Sequence, residues 1–195
     1  MDESKLVRAA VEKHSALILE TERFLWTHPE TGYHEWTADR YLKDIFRKLG
    51  YDLTEAGDIP GFYAELDTGR PGPCIAILGE MDALPCEGHP AADPVTNAAH
   101  ACGHHCQCAA LVGVAAALKE PGVTDGLCGK LRLMAVPAEE IVELEYRASL
   151  MERGTIRYLQ GKPEFIYRGY FDGVDMAMLI HAGKQQPGTV LKVRN

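Results

Sequence analysis

One segment of the chain is apolar at every position, and this restricts the folds that it can adopt: Cys74-Ile75-Ala76-Ile77-Leu78. A strand with one face in water alternates apolar and polar residues, whereas a strand covered on both faces is apolar throughout. The largely apolar run 131–136 predicts a second strand, and 62–66 predicts another, joined to the first by the turn 68–73. These runs predict an α/β protein whose central sheet is covered on both faces.

Helical periodicity is clearest after Thr37, which is the predicted N-cap of a helix that ends at Gly50. Its apolar positions recur at i, i+3, i+4 and i+7, as expected of a helix with one buried face. They are Ala38, Tyr41, Leu42, Ile45, Phe46 and Leu49. Further helices are predicted over about 4–26, 109–119 and 142–153, a loop over 79–100, and a last strand over 175–180.

Six side chains with metal-binding or acid/base chemistry follow these strands or open a helix. They are Asp82, Glu139, Glu140 and His181 at strand ends, and Cys102 and His104 before the helix 109–119. Ligands of open α/β sheets gather beyond the carboxyl ends of strands, so we expect these groups at one edge. One of two adjacent carboxylates can bind a metal while the other moves a proton, and thiolate and imidazole suit a first-row divalent cation. The chemistry predicted is metal-assisted hydrolysis.

Each of these residues also has a simpler interpretation. A histidine after a strand, such as His181, is more often an ordinary surface or core residue, and the pair Glu139-Glu140 is also typical of an exposed helix N-terminus. Two other chemistries would use some of the same residues. A structural zinc site would use Cys102, Cys106, Cys108, His104 and His105, but the paired CxxC spacing of such sites is absent. A thiol hydrolase would use Cys102 as nucleophile and His104 as base, and it would leave the glutamate pair without a role.

Composition excludes several functional classes. With 195 residues and 46% hydrophobic content, the chain can bury one substantial core and is expected to form one globular domain. A net charge of −8 argues against nucleic acid or an anionic membrane surface as a partner. The charged N-terminus does not resemble a signal peptide, no run reaches the roughly 20 apolar residues of a membrane span, and the six cysteines are too uneven for a disulfide scaffold. The expected location is therefore cytoplasmic.

Four motifs together resemble those of the aminoacylase-like metallo-amidohydrolases. They are Thr27-His28-Pro29-Glu30-Thr31-Gly32, Met81-Asp82-Ala83-Leu84-Pro85, His100-Ala101-Cys102-Gly103-His104 and Pro137-Ala138-Glu139-Glu140. That family includes N-acyl-amino-acid, hippurate, aminobenzoyl-glutamate and auxin-conjugate hydrolases. The resemblance implies a three-layer sandwich with a mainly parallel central sheet, as in the zinc-exopeptidase-like catalytic domains, and a small N-acyl amino acid or peptide as substrate.

The resemblance also implies a role for each candidate residue. Cys102, His104, Glu140 and His181 fall on positions that hold two divalent metal ions, which could be Zn, Mn, Co or Ni. Glu139 falls on the catalytic acid/base. Asp82 falls on an aspartate that supports a ligating histidine from behind.

The sequence departs from the family pattern in three places. The Cys-Gly-His motif is followed by His105, Cys106 and Gln107 instead of the usual Asp, one residue and His. The stretch between Glu140 and His181 is longer than usual. Relatives continue well beyond Asn195, so residues 1–195 are expected to be the N-terminal portion of the catalytic domain, with the C-terminal part and the lid and dimerisation domain missing.

That length leads to further expectations about partners. A homodimer, or a complementary C-terminal chain, is expected to complete the enzyme, and a non-catalytic fragment or one half of a split enzyme is the alternative function. Apolar side chains of the last strand are expected to be uncovered, among them Met176, Met178 and Ile180.

Overall fold

The computed structural model describes residues 3–183. Within that range the helices are α1 (Glu3–Lys13), α2 (Ser15–Thr27), α3 (Trp36–Lys48), α4 (His104–Ala117), α5 (Leu144–Glu152) and α6 (Gly161–Tyr167). The strands are β1 (Leu53–Glu55), β2 (Phe62–Asp67), β3 (Cys74–Glu80), β4 (Leu84–Pro85), β5 (Ala98–Ala99), β6 (Lys130–Val136) and β7 (Met176–Leu179). The prediction of one domain over residues 1–195 extends to 1–2 and 184–195, which lie outside the described residues.

The central sheet has the strand order β1-β2-β6-β3-β7, and β4 pairs with β5 in a separate ribbon. Strand β3 is parallel to both β6 and β7, whereas β2 is antiparallel to its neighbours β1 and β6. Four of the five strands of the central sheet therefore run in one direction, so the predicted mainly parallel sheet is confirmed. The turn 68–73 connects β2 to β3 along the chain, but β6 lies between them in the sheet.

The sheet has helices on both faces, as its apolar strands predicted. Successive side chains of β6 point to opposite faces of the sheet, and each face has its own hydrophobic core. Leu133 and Ala135 belong to one core, and Met134 and Val136 belong to the other. Helices α1 to α4 contribute to the first core, and α5 and α6 to the second. The predicted three-layer sandwich is thus confirmed.

Several predicted helix boundaries were wrong. The predicted helix 4–26 is divided at His14, because α1 and α2 pack separately against α4 and Glu120 pairs with both Lys13 and His14 at 2.7 Å. Thr37 lies inside α3 instead of capping it, since the carboxylate of Glu30 accepts the free backbone N–H groups at this helix start. Helix α4 begins at His104, five residues before the prediction, and α6 was not predicted.

Strand β7 forms an edge of the sheet, and its apolar side chains are exposed as predicted. Met176 is 61% exposed, Met178 53% and Ile180 56%. Each of the four residues of β7 is exposed, in contrast to the buried ends of β3 and β6. An apolar sheet edge of this kind is typical of a surface that another segment or chain covers. Among the helices of residues 3–183, none combines the length and the apolar character that crossing a membrane requires.

Candidate metal centre

The ends of two parallel strands bring the candidate residues to one place. Glu80 pairs with Val136 in the register of β3 and β6, so both strands end at the same level. Asp82 follows β3, Glu139 and Glu140 follow β6, and α4 packs on β3 with His104 at its first turn. The prediction that these groups share one edge agrees with this arrangement.

His104 lies at the middle of the cluster and is fully buried. Its Nδ1 lies 2.9 Å from the backbone oxygen of Asp82 and 3.1 Å from the Oδ1 of the same residue. Its Nε2 is also buried, and the atom faces the carboxylate of Glu80 at 3.1 Å. Burial opposes a positive charge on the ring, yet the carboxylates of Asp82 and Glu80 outweigh it and raise the pKa of His104 to about 10. An imidazole held at Nδ1 by a carboxylate, with Nε2 directed at further potential ligands, has the arrangement of a metal ligand.

Cys102 and His181 lie beside this imidazole. The Sγ of Cys102 is 3.4 Å from the Nε2 of His181, and the His181 and His104 rings lie 5.5 Å apart, edge to face. The three potential ligand atoms of Cys102, His104 and His181 all lie within 4.8 Å of one another. Thiolate and imidazole donors in such a cluster fit a borderline divalent cation such as Zn²⁺.

Gly103 explains how the chain brings these residues together. Its φ of 92° is a left-handed conformation that side chains disfavour, and it turns the backbone between Cys102 and the start of α4. A Cβ at this position would lie 2.8 Å from the Cβ of Ala182. The missing side chain therefore lets the segment after β7 approach closely, which places His181 against Cys102.

Asp82 connects His104 to the segment that follows β6. Its Oδ1 faces the Nδ1 of His104, and its Oδ2 accepts a hydrogen bond of 2.8 Å from the backbone N–H of Glu140. Glu140 in turn lies next to the thiol of Cys102, whose pKa rises to about 12 because of desolvation and the Glu140 carboxylate. Asp82 thus holds a ring and a backbone segment in place, which is a positioning role.

Glu139 lies at the open side of the cluster. Its side chain is 30% exposed, and its two carboxylate oxygens lie 3.9 Å from the Nε2 of His104 and 3.7 Å from the Nζ of Lys162. Desolvation and then the negative charge of Glu80 raise the pKa of Glu139 above its ordinary value. A carboxyl group whose pKa moves toward neutrality is suited to both accept and donate a proton.

Sequence reasoning missed two residues of the cluster, Glu80 and Lys162. The Oε2 of Glu80, which is buried, lies 3.1 Å from the Nε2 of His104, and its Oε1 forms an ion pair with Lys162. Although desolvation opposes ionisation, His104 and Lys162 lower the pKa of Glu80 to about 2. Glu80 could have been found, because it stands two residues before Asp82 on the same predicted strand end. Lys162 could not, because nothing in the sequence around it relates α6 to this strand end.

The alternative interpretations of these residues lose support. Helix α5 begins at Leu144, so Glu139 and Glu140 do not form a helix N-terminus. The three cysteines of the structural zinc hypothesis point apart: Cys108 donates to the backbone oxygen of Glu80, and Cys106 lies beside His105. The raised pKa of Cys102 makes its thiol a poor nucleophile.

The buried carboxyl group of Glu35 holds the backbone of the segment Pro137–Glu140 in place. Its replacement is therefore expected to change the stability of the protein. The Oε1 of Glu35 accepts a hydrogen bond of 2.7 Å from the backbone N–H of Ala138, and desolvation raises the pKa of Glu35 well above its ordinary value. Glu35→Leu leaves that N–H unpaired and is expected to lower the free energy of unfolding by about 1–3 kcal/mol. Glu35→Gln retains an acceptor and is expected to cost clearly less. Urea unfolding of both variants measures the difference, and equal losses would contradict the role of this hydrogen bond.

Comparison with known proteins identifies the family of the chain and agrees with its fold. The family model described as peptidase family M20/M25/M40 matches residues 76–190. A thermostable carboxypeptidase from Saccharolobus solfataricus is 28% identical over 198 residues, which cover 100% of this chain and 46% of that protein. An N-acetyl-L-cysteine deacetylase from Bacillus subtilis is 32% identical over 162 residues, which cover 82% of this chain and 34% of that protein.

A solved structure gives a similar result. The crystal structure of a dinuclear metal-binding peptidase of the M20 family from Bacillus subtilis superposes with a TM-score of 0.68 at 25% identity. The matched region covers 85% of this chain and 42% of that one. The chain therefore spans less than half the length of the relatives that it matches.

Proposed function

Because the chain belongs to peptidase family M20/M25/M40, we propose that it is the metal-binding part of a hydrolase that cleaves the amide bond of N-acyl amino acids or small peptides. The observation that carries this proposal is the buried imidazole of His104, held at Nδ1 by Asp82, with the ligand atoms of Cys102 and His181 within 4.8 Å. A buried imidazole that a carboxylate holds at one nitrogen, with other donor groups beside its second nitrogen, is the usual arrangement of a metal-ligating histidine.

The residues present fit a pair of divalent metal ions. Cys102, His104, Glu140 and His181 would hold them, and the ions could be Zn, Mn, Co or Ni. When bound, such ions lower the pKa of water and polarise the amide carbonyl. Glu80 adds a buried carboxylate beside His104 and is a further candidate ligand.

Glu139 performs the proton transfers in this proposal. Its side chain is 30% exposed, so a substrate can reach it. As general base it takes a proton from the attacking water, and as general acid it passes that proton to the departing amine. Lys162 lies between Glu80 and Glu139 and positions both carboxylates through ion pairs.

The substrate class and the partners follow from the relatives and from the uncovered sheet edge. The names of the two relatives indicate an N-acetylated amino acid and a peptide C-terminus as substrates. In both, the amide nitrogen belongs to an amino acid with a free carboxylate. The exposed edge β7 suits pairing with a complementary C-terminal segment or a second copy. One half of a split enzyme, inactive without its complement, is the second candidate function, favoured by that same exposed edge.

The test uses the protein encoded by the complete reading frame. It is assayed with hippurate and with N-acetyl amino acids before chelation, after chelation, and after addition of Mn²⁺, Zn²⁺, Co²⁺ or Ni²⁺. Loss of turnover on chelation and its return with metal would support the proposal. Turnover that resists exhaustive chelation, with metal analysis showing none bound, would overturn it. Activity that appears only when a separately encoded C-terminal chain is added would favour the split enzyme.

The bridging role of Asp82 leads to a prediction on metal affinity. Asp82→Asn replaces one carboxylate oxygen by an NH₂ group, which donates hydrogen bonds and cannot accept them. This NH₂ group would face either the Nδ1 of His104 or the backbone N–H of Glu140, and each of these positions now contacts an accepting oxygen. We expect the dissociation constant for Zn²⁺ to rise by about 10–100-fold. The exposed Asp52→Asn is the matched control. Titration with a competing chelator measures both, and unchanged affinity in Asp82→Asn would remove the positioning role.

A further inference from the structure

A second group of potential ligands lies between α2 and α4, and it shares no residue with the group of Cys102, His104 and His181. Glu22 on α2 and His105 and Cys106 on α4 place one ligand atom each within 4.8 Å of one another. The Nε2 of His105 lies 3.3 Å from the Sγ of Cys106 and 3.5 Å from the Oε1 of Glu22. We propose that Glu22, His105 and Cys106 form a separate binding site for a transition-metal ion of the Zn²⁺ type.

The distances match those of a tetrahedral site before the ion enters. With ligand bonds of about 2.0–2.3 Å, neighbouring ligand atoms around zinc are about 3.3–3.8 Å apart. Both measured separations fall in this range, so small rotations of the exposed Cys106 and partly exposed Glu22 side chains would complete the site. Three protein ligands leave a fourth position for water or an added ligand.

The backbone separates this group from the first cluster. Successive residues of a helix point about 100° apart, so His104 and His105 project in different directions. His104 faces the strand end beside Asp82 and Glu80, whereas His105 faces α2 and lies 4.9 Å from the ring of Trp26. Glu22 and Trp26 are four residues apart on α2 and therefore share the face that meets α4.

The surroundings of His105 favour a ligand. Its side chain is only 9% exposed, and its Nδ1 has no hydrogen-bond partner among the described residues. The ring of His100 lies 5.2 Å away and is buried, and both its nitrogens also lack described partners. A hydrogen bond between these two rings would give a metal-bound His105 the outer contact that ligating histidines ordinarily have.

The ligand types restrict the ion. One thiolate, one imidazole and one carboxylate suit Zn²⁺ and, with different preferences, Co²⁺ and Ni²⁺. Mg²⁺ and Ca²⁺ favour sets of oxygen ligands, and this group offers a single carboxylate. The site lies where the sequence departs from the usual pattern after Cys-Gly-His, and it gives His105 and Cys106 a function.

Zinc stoichiometry in the full-length protein tests the proposal. After loading with Zn²⁺ and dialysis, Cys106→Ser and Glu22→Gln are expected to retain about one zinc ion per chain fewer than the wild type. The exposed Cys128→Ser and Glu20→Gln are matched controls and are expected to retain the wild-type amount. Equal zinc content in the wild type, Cys106→Ser and Glu22→Gln would overturn the proposal, and so would a loss shared with the controls.

A Co²⁺ titration in a Cys102→Ala background locates the ion independently of the first cluster. Without Cys102, a near-ultraviolet thiolate-to-cobalt band is expected to depend on Cys106, and Co²⁺ is expected to quench the fluorescence of Trp26 beside His105. Both signals should disappear in Cys102→Ala/Cys106→Ser and persist in Cys102→Ala/Cys128→Ser. Signals that persist without Cys106 would contradict the site. Because Cys106→Ser is expected to leave hydrolysis unchanged, failure here is distinguishable from failure of the proposed hydrolase.

Discussion

Glu139→Gln is expected to lower the rate of amide hydrolysis by about two to four orders of magnitude, the usual contribution of a general acid/base. Glutamine keeps the shape of the side chain and the contacts near His104 and Lys162, but it cannot exchange a proton. Metal content is therefore expected to stay at the wild-type level. The loss should appear in kcat, because the interaction is made in the transition state.

The measurement compares kcat and bound metal in the full-length enzyme at saturating metal. Glu145→Gln, an exposed glutamate in the first turn of α5, is the matched control and is expected to behave as the wild type. Turnover near the wild-type rate in Glu139→Gln would exclude Glu139 as the acid/base. Loss of metal together with activity would instead make Glu139 a ligand, a role that its 3.9 Å distance from the Nε2 of His104 also permits.

Cys102→Ala is expected to reduce the metal content itself. It removes the sulfur that lies 3.4 Å from the Nε2 of His181, and with it one of the three clustered ligand atoms. Several kcal/mol of transition-state stabilisation depend on the ion, so at about 1.4 kcal/mol per tenfold the rate should fall by roughly a thousandfold or more. Glu140→Ala is expected to act in the same way. Metal analysis and kcat/KM at limiting metal measure both effects.

Cys128→Ala is the matched control for Cys102→Ala, since Cys128 is an exposed free cysteine away from the cluster. Its metal content and activity are expected to equal those of the wild type. Full metal occupancy in both Cys102→Ala and Glu140→Ala would place the ions elsewhere. Partial recovery of activity at high metal concentration would agree with weakened binding at an intact site.

The elements were largely predictable because their signals are local. The apolar run 74–78 and the run 131–136 became β3 and β6, and the helical spacing after Thr37 became α3. The candidate residues could be found for the same reason. Most of them are polar residues that follow an apolar strand, and the change from apolar to polar residues marks the end of that strand. The motifs around Cys102, His104 and Glu139 added the family, which the match over residues 76–190 confirms.

Features that depend on contacts between distant segments were not predictable. The order of strands, with β6 between β2 and β3, depends on which backbones pair, and the break at His14 depends on packing against α4. Lys162 joins Glu80 and Glu139 only because α6 covers the second face of the sheet.

The sequence alone determined the chemical types available and their positions at strand and helix ends. The tertiary structure decided which of them meet: His181 with Cys102, Glu80 with His104, and Glu22 with His105. The physical reason is that burial and periodicity act on each segment separately and so appear in its residues. A contact between distant segments depends instead on how the two segments pack, and the sequence of either segment alone does not predict it.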